Sequence, residues 1–319
     1  MKNIYFLIPP KTHPLDIIGP AQLFYECIEY GANLNLYFVS STLENEVTST
    51  LGLGFSQLTS YKNFALASGD ILVVPGIQFS LLNDSTFKKE SESFYFWLNA
   101  QYNNGATLVS VCTGAFLLAD AGLLKGKKAT THWKGFEIFE QKFPDTELLK
   151  NRLFVENDRI YTSAGMLSGI DLCLYLVEKE YGVKFAVEIA KEVVMYLRRG
   201  ASDPQLSIFL QFRNHLENRI HVAQDYISKN LTLSFTIEDI ADTVNMSARN
   251  LTRLFKKTTG ITIGHYHSKL RVEQAVHLLA EGFTMDYTTE QCGLKSSTQL
   301  RTLLKKYEES IPTNLDRLS

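Results

Sequence analysis

Hydrophobic positions in the first half of the chain fall into two alternating kinds of run. Four short segments, Asn3–Pro9 (NIYFLIP), Leu34–Ser40 (LNLYFVS), Asp70–Gly76 (DILVVPG) and Ala106–Cys112 (ATLVSVC), are apolar at neighbouring positions and bounded by glycine or proline. Strands apolar on both faces are those of a parallel sheet covered on both sides. Between them lie stretches with helical spacing. Pro20–Tyr30 puts Leu23, Phe24, Cys27 and Ile28 on one face, and Phe94–Tyr102 predicts a second crossover helix. The alternation predicts a doubly wound α/β fold with a mostly parallel sheet. Two alternating runs in LFVENDRIYTS, with Asn157 and Asp158 at the turn, predict an added hairpin, and a helical pattern from Met166 to Tyr181 follows it.

The pattern changes at Arg198–Pro204 (RRGASDP), which breaks helices and reads as a linker or hinge. From Phe209 onward only helical periods occur, so the second domain is expected to be all-α. Thr236, with Asp239 three residues on, predicts a helix start, and Ile237, Ile240, Ala241 and Val244 follow at i, i+3, i+4, i+7. Asn245 and Met246 make a turn. Ser247 then caps a helix with Leu251, Leu254 and Phe255 inward and Arg249, Asn250, Arg253 and Lys256 outward, which is a helix-turn-helix with a basic outer face. The expected division is 1–197, a linker at 198–212, and 213–319.

Composition supports two domains. The chain has 319 residues, 45% hydrophobic and 21% charged, as folded domains do. No apolar run approaches the ~18 residues of a membrane span, and Met1–Pro9 carries no small-residue cleavage site, so a cytoplasmic protein that does not meet the membrane is expected. Cys27, Cys112, Cys173 and Cys292 form no CxxC pair, which argues against a disulfide framework and a zinc site. His265 and His267 lack a third partner in sequence, and no glycine-rich phosphate loop is present, so neither metal nor cofactor is expected.

Net charge is −2, but unevenly spread. Residues 213–319 hold 14 Lys plus Arg against 12 Asp plus Glu, and the remainder holds 18 against 22. Arg249–Arg271 and Lys295–Lys306 are basic and free of acids. Such acid-free basic segments suit a phosphate backbone.

The segment IEDIADTVNMSARNLTRLFKKTTGITIGHYHSKLRVEQAVHLL resembles the AraC/XylS family of bacterial transcription regulators, whose domain carries two helix-turn-helix motifs in tandem. The resemblance places the second recognition helix at Ser296–Lys306. It implies contacts to double-stranded promoter DNA from Ser247, Arg249, Asn250, Arg253, Lys256 and Lys257 in the first motif, and from Ser296, Ser297, Gln299, Arg301 and Lys305 in the second. The family's usual Ile-Ala is here Thr288-Thr289, its Gly-Phe is Gly293-Leu294, and a later glycine is Ser310. Looser packing and a smaller share of the binding are expected of the second motif.

In the first domain the strand ending at Cys112 turns into a helix through Thr113-Gly114-Ala115, a nucleophile-elbow arrangement in which the helix dipole and free N–H groups are expected to lower the thiol pKa. SVCTGAFLLADAGLLKGKKATTHW, with Asp16 in PLDIIGP and Gly76 in VVPG, is similar to the ThiJ/PfpI branch of the class I glutamine amidotransferase-like superfamily, and closest to its GlxA-type regulators. That resemblance implies a flavodoxin-like sheet, a pocket formed by Asp16, Gly76, Cys112, Thr113 and His132, and a small-molecule effector in place of hydrolysis. A homodimer through this domain is expected because two copies raise the effective affinity for DNA. His132 is the base nearest to Cys112 in sequence. Isonitrile hydratases of the same superfamily use residues that correspond to Asp16, Cys112 and Thr113, so a cysteine-dependent hydratase or amidase with a DNA-binding tail is the alternative reading.

Overall fold

The computed structural model describes residues 2–150, 152–195, 199–201, 205, 211–213, 215–280 and 282–307. It divides into two compact units, Met1–Gln205 and Leu206–Ser319.

The first unit is built on a seven-stranded sheet. From one edge to the other its strands are Phe154–Asn157, Ile160–Ser163, Thr107–Val111, Ile71–Val74, Lys2–Ile8, Leu34–Ser40 and Thr59–Ser60. All neighbours pair in parallel except the Phe154–Asn157 edge, which is antiparallel. Side chains alternate between two cores because both faces are covered. Ile4, Phe6 and Ile8 enter one core with Cys27 and Cys173, while Tyr5 and Leu7 enter the other with Leu98 and Phe116. Chain order runs outward from Lys2–Ile8 in one direction and then the other, so Lys2–Ile8 and Ile71–Val74 flank the point where the winding reverses. In such sheets ligands lie outside the carboxyl ends of the strands at that point.

Several elements differ from expectation. The first helix is Leu15–Glu29 and carries Pro20 in its interior. It starts five residues before the proline, and this puts Asp16 in its first turn. The hairpin pairs Asn157 with Ile160, so the turn is Asp158-Arg159, with Asp158 at φ 56°. Thr59–Ser60 is an edge strand of two residues with no apolar pattern to announce it. Beyond Leu167–Tyr181 a further helix, Val183–Glu192, follows a turn at Gly182 (φ 84°). Most of the expected linker lies outside the described residues. Of its described part, Arg199 pairs with Asp171, the Leu153 N–H donates to the Ala201 carbonyl (3.2 Å), and the Gln205 side-chain amide donates to Thr130 Oγ1 and to the Thr131 carbonyl (both 2.9 Å).

The described residues of the second unit form helices only: Asn218–Lys229, Ile237–Thr243, Ala248–Thr259, Ile263–Ala280, Met285–Gln291 and Ser297–Lys306. Thr236 and Asp239 close a reciprocal capping box: the Asp239 N–H donates to Thr236 Oγ1 (3.1 Å) and the Thr236 N–H to Asp239 Oδ2 (2.7 Å). Ile240, Ala241 and Val244 are buried as the periodicity predicts, but Ile237 is 40% exposed, because the first residue of a helix lies at the rim of the core. Leu251 and Phe255 are fully buried, and Leu254 packs at the edge. Asn245, with φ 51°, makes the turn between the two helices.

Candidate functional site

Three loops at the carboxyl ends of central strands converge on Cys112. The strand Thr107–Val111 delivers it into a left-handed conformation (φ 59°), a strained position for a non-glycine residue and the hallmark of an elbow. The next residue, Thr113, is fully buried. Its Oγ1 donates to the Ile77 carbonyl (2.8 Å) and accepts from the Ile77 N–H (2.9 Å), which fixes the loop after Ile71–Val74. Asp16, also fully buried, accepts from the Gly76 N–H (3.0 Å) and the Met166 N–H (2.9 Å), and its carboxyl group adjoins the Cys112 thiol.

Glycine is required where these loops meet. A Cβ on Gly76 would lie 2.7 Å from Asp16 Oδ2, 2.8 Å from Thr113 Oγ1 and 3.0 Å from Cys112 Cβ. On Gly165, at φ +118°, it would lie 2.6 Å from Cys112 Cβ and 2.8 Å from Sγ.

The electrostatics reverse the expectation for the thiol. Burial, reinforced by the neighbouring Asp16 carboxylate, pushes Cys112 up, and the Thr113 N–H opposes this without overcoming it. The helix after the elbow, Gly114–Asp120, is short, and the cost of desolvating a thiol 3% exposed is the largest influence on it. Burial likewise raises Asp16, opposed by the two N–H donors. Burial and the adjoining Asp16 carboxyl group thus favour the protonated form of the Cys112 thiol.

His132 is not the partner of Cys112. Its Nδ1 accepts from the Lys134 N–H (3.4 Å) and its ring faces Phe79 and Trp133. Burial, with Lys134 and His13 nearby, lowers its pKa. The residue that sequence reasoning missed is His13, half-buried near both Asp16 and His132, with its Nδ1 3.4 Å from Thr50 Oγ1. Its position three residues before Asp16 at a helix start was the available signal. Thr131 was also missed. Its hydroxyl donates to the Cys112 carbonyl (2.9 Å).

The second unit displays its polar groups. Ser247 caps Ala248–Thr259, accepting from the Asn250 N–H (3.4 Å), and Arg249, Asn250, Arg253, Lys256 and Lys257 are all exposed. Arg249, Arg253, Lys256 and Lys257, with Thr252, wall an open groove of about 700 Å³ against Ile237 and Glu238. In the second motif Ser296 caps Ser297–Lys306, and Arg301 and Lys305 are exposed. Gln299 turns back to accept from the Lys295 N–H (3.0 Å), so its amide oxygen is engaged in the cap. Thr288 is fully buried, and its hydroxyl finds no partner among the described residues. Arg271, counted with the basic segment, is half-buried and bonded to carbonyls.

Residues 2–179, more than half of the chain, match the DJ-1/PfpI family. The chain belongs to the DJ-1/PfpI family. Residues 240–317 match a helix-turn-helix domain. The chain is similar over both units to the HTH-type transcriptional regulator CdhR of Pseudomonas aeruginosa, with 24% identity over 298 residues that cover 92% of this chain and 85% of that one. It is 29% identical to the isonitrile hydratase of Pseudomonas putida over 58% of this chain and 74% of the hydratase. Among solved structures, an AraC family transcriptional regulator from Pseudomonas putida superposes with a TM-score of 0.51 at 20% identity, covering 60% of this chain and all of that one. The family match gives residues 2–179 the DJ-1/PfpI fold. Among the described residues no group of metal-ligating side chains could hold an ion, and no helix is long and apolar enough to cross a membrane.

Proposed function

We propose that this chain is a DNA-binding transcription regulator whose DJ-1/PfpI unit senses a small metabolite. The observation that carries the reading is the outer face of Ala248–Thr259, where five polar and basic side chains stand exposed while Leu251 and Phe255 anchor the opposite face. Arginine and asparagine there can pair with guanine and adenine edges in the major groove, and Lys256 and Lys257 near the helix end neutralise phosphates. The match of 240–317 to a helix-turn-helix domain and the two-unit likeness to CdhR support the same reading. A mobility shift over a salt titration tests it. Arg253→Ala lowers affinity for the preferred sequence, and Lys257→Ala lowers affinity for all sequences alike and reduces the salt slope by about 1. Unchanged binding in both would falsify the assignment.

The effector site is Asp16, Gly76, Cys112 and Thr113, with His13 and His132 beside them. Support comes from their place at the winding reversal of the sheet and from the convergence of three loops there. A run of hydrogen bonds leads away from it. Thr131 donates to the Cys112 carbonyl and accepts at its own carbonyl from Gln205, the last residue of the first unit. A ligand that displaces the elbow acts on Gln205 along this run, and signalling requires only that it bind two arrangements with different affinity. Homodimerisation is supported by exposed Leu15, Ile18, Met166 and Leu167 at the starts of two packed helices, an apolar face at odds with a solvated surface. A single-mass peak of one chain in light scattering would remove that part.

One observation favours the enzymatic alternative: Asp16, Cys112 and Thr113 adjoin, as the residues corresponding to a hydratase set do. The protonated thiol weighs against it. Cys112 is expected to stay unmodified by iodoacetamide at neutral pH, and Asp16→Asn to increase its reactivity by removing the carboxylate that holds the proton. Rapid alkylation of the unsubstituted chain, with turnover of an isonitrile or amide, would establish the enzyme instead.

A further inference from the structure

The two helix-turn-helix motifs have separate apolar cores, and the helix Ile263–Ala280 contributes to both. Ile263, Tyr266 and Leu270 belong to the first core, and Val272, Ala275 and Leu279 to the second. A shared helix fixes the distance between motifs along its axis. Apolar packing specifies their rotation about that axis less sharply than directional bonds do.

Directional groups sit at the changeover between the cores. Arg271 lies between Leu270 and Val272, and its Nη2 donates to two carbonyls: Gly293 (3.1 Å), in the turn of the second motif, and Leu231 (3.5 Å), in the loop that leads into the first. The backbones of those two segments touch. Gly293 is at φ +63°, and a Cβ there would lie 2.6 Å from the Leu231 carbonyl oxygen and 2.9 Å from Thr232 Cα. One helical turn before Arg271, the His267 ring lies against Phe235 (4.8 Å between centroids), further along the same loop. Hydrogen bonds from a charged donor are the stronger and more orienting kind. Loop, turn and helix thus form a joint held by one guanidinium.

We propose that Arg271, seated on Gly293, sets the angle between the two recognition helices and thereby the half-site spacing that the chain accepts on DNA. It is a positioning residue, and the inference rests on the DNA-binding reading above. Inserting one base pair between two half-sites moves the second by about 3.4 Å along the duplex and about 35° around it. A rigid joint cannot follow that displacement, and a loosened one can.

The test uses the full chain and duplexes that it selects from a random-sequence pool. Affinity is measured for the selected spacing, for the same duplex with one base pair inserted, and for the first half-site alone. The unsubstituted chain is expected to lose about tenfold or more on insertion. Arg271→Met is expected to bind the first half-site as the unsubstituted chain does, to lose about tenfold at the selected spacing, and to lose little more on insertion. Arg271→Lys, which keeps the charge and one donor, falls between them and decides the matter should the Met variant not fold. Insertion penalties equal to those of the unsubstituted chain overturn the proposal, as do weakened first-half-site binding in both variants and a selected sequence with one half-site only. An unsubstituted chain that selects no sequence removes the regulator reading itself, and the two failures are thus distinct.

Discussion

The elbow at Cys112 and the helix Ala248–Thr259 carry side chains proposed to meet an effector and DNA, and they place them oppositely with respect to water. At the elbow Asp16 and Thr113 are fully buried and Cys112 nearly so, whereas Arg249, Asn250, Arg253, Lys256 and Lys257 stand in solvent. In the elbow, desolvation outweighs the local N–H donors and keeps a proton on sulfur. On the helix, charge acts outward, and its reach is set by salt. Residue type and spacing locate both regions, but burial decides what each can do.

Four experiments press on this contrast. The largest effect is expected from Gly165→Ala, which forces a side chain against Cys112 in a backbone conformation that disfavours one. It should cost about 2 to 4 kcal/mol in thermal or denaturant unfolding of the first unit. Arg253→Ala comes next and should weaken binding to the preferred duplex by about 1 to 3 kcal/mol while moving stability by no more than about 0.5 kcal/mol. A comparable loss of stability would show that the helix face is structural. Arg301→Ala should cost less than Arg253→Ala, since the neighbouring Gln299 is engaged in its own cap. Thr288→Val removes a buried hydroxyl without a partner and should raise stability by about 1 kcal/mol, with DNA affinity unchanged.

A last effect is one of pH. Burial, with Arg271 nearby, pushes His267 down to about 4. An unfolded histidine titrates near ~6.5, so the unfolded chain takes up the proton first. The stabilising contribution is complete above that value and is lost as pH falls towards about 4. Melting temperature should drop on acidification across this window, and His267→Gln should flatten the drop.

Much of the architecture was legible in the sequence. The strands Lys2–Ile8 and Leu34–Ser40 announce themselves because both of their faces are covered, and the caps at Thr236 and Ser247 because a helix start needs an acceptor side chain. Thr59–Ser60 was not legible, since two polar residues at a sheet edge leave no pattern. The start of the first helix was hidden by Pro20, which reads as a first-turn residue although the helix begins at Leu15. The elbow was visible at Cys112, but the state of its thiol was not. That state depends on Asp16, which lies 96 positions away in sequence and reaches the sulfur only through the fold. Thr131 and Gly165 act through a backbone carbonyl and a missing side chain, and neither leaves a trace in residue chemistry.

The division of the second unit into two cores bears on how it opens. Among the described residues the first core buries 12 hydrophobic side chains and the second seven. Local opening is easiest where the least apolar surface is buried. Amide hydrogens of Met285–Gln291 and Ser297–Lys306 should therefore exchange with solvent faster than those of Ile237–Thr243 and Ala248–Thr259. A chain built this way can release and recapture one groove of the duplex while still holding the other, so that its residence time is governed by the more slowly exchanging motif.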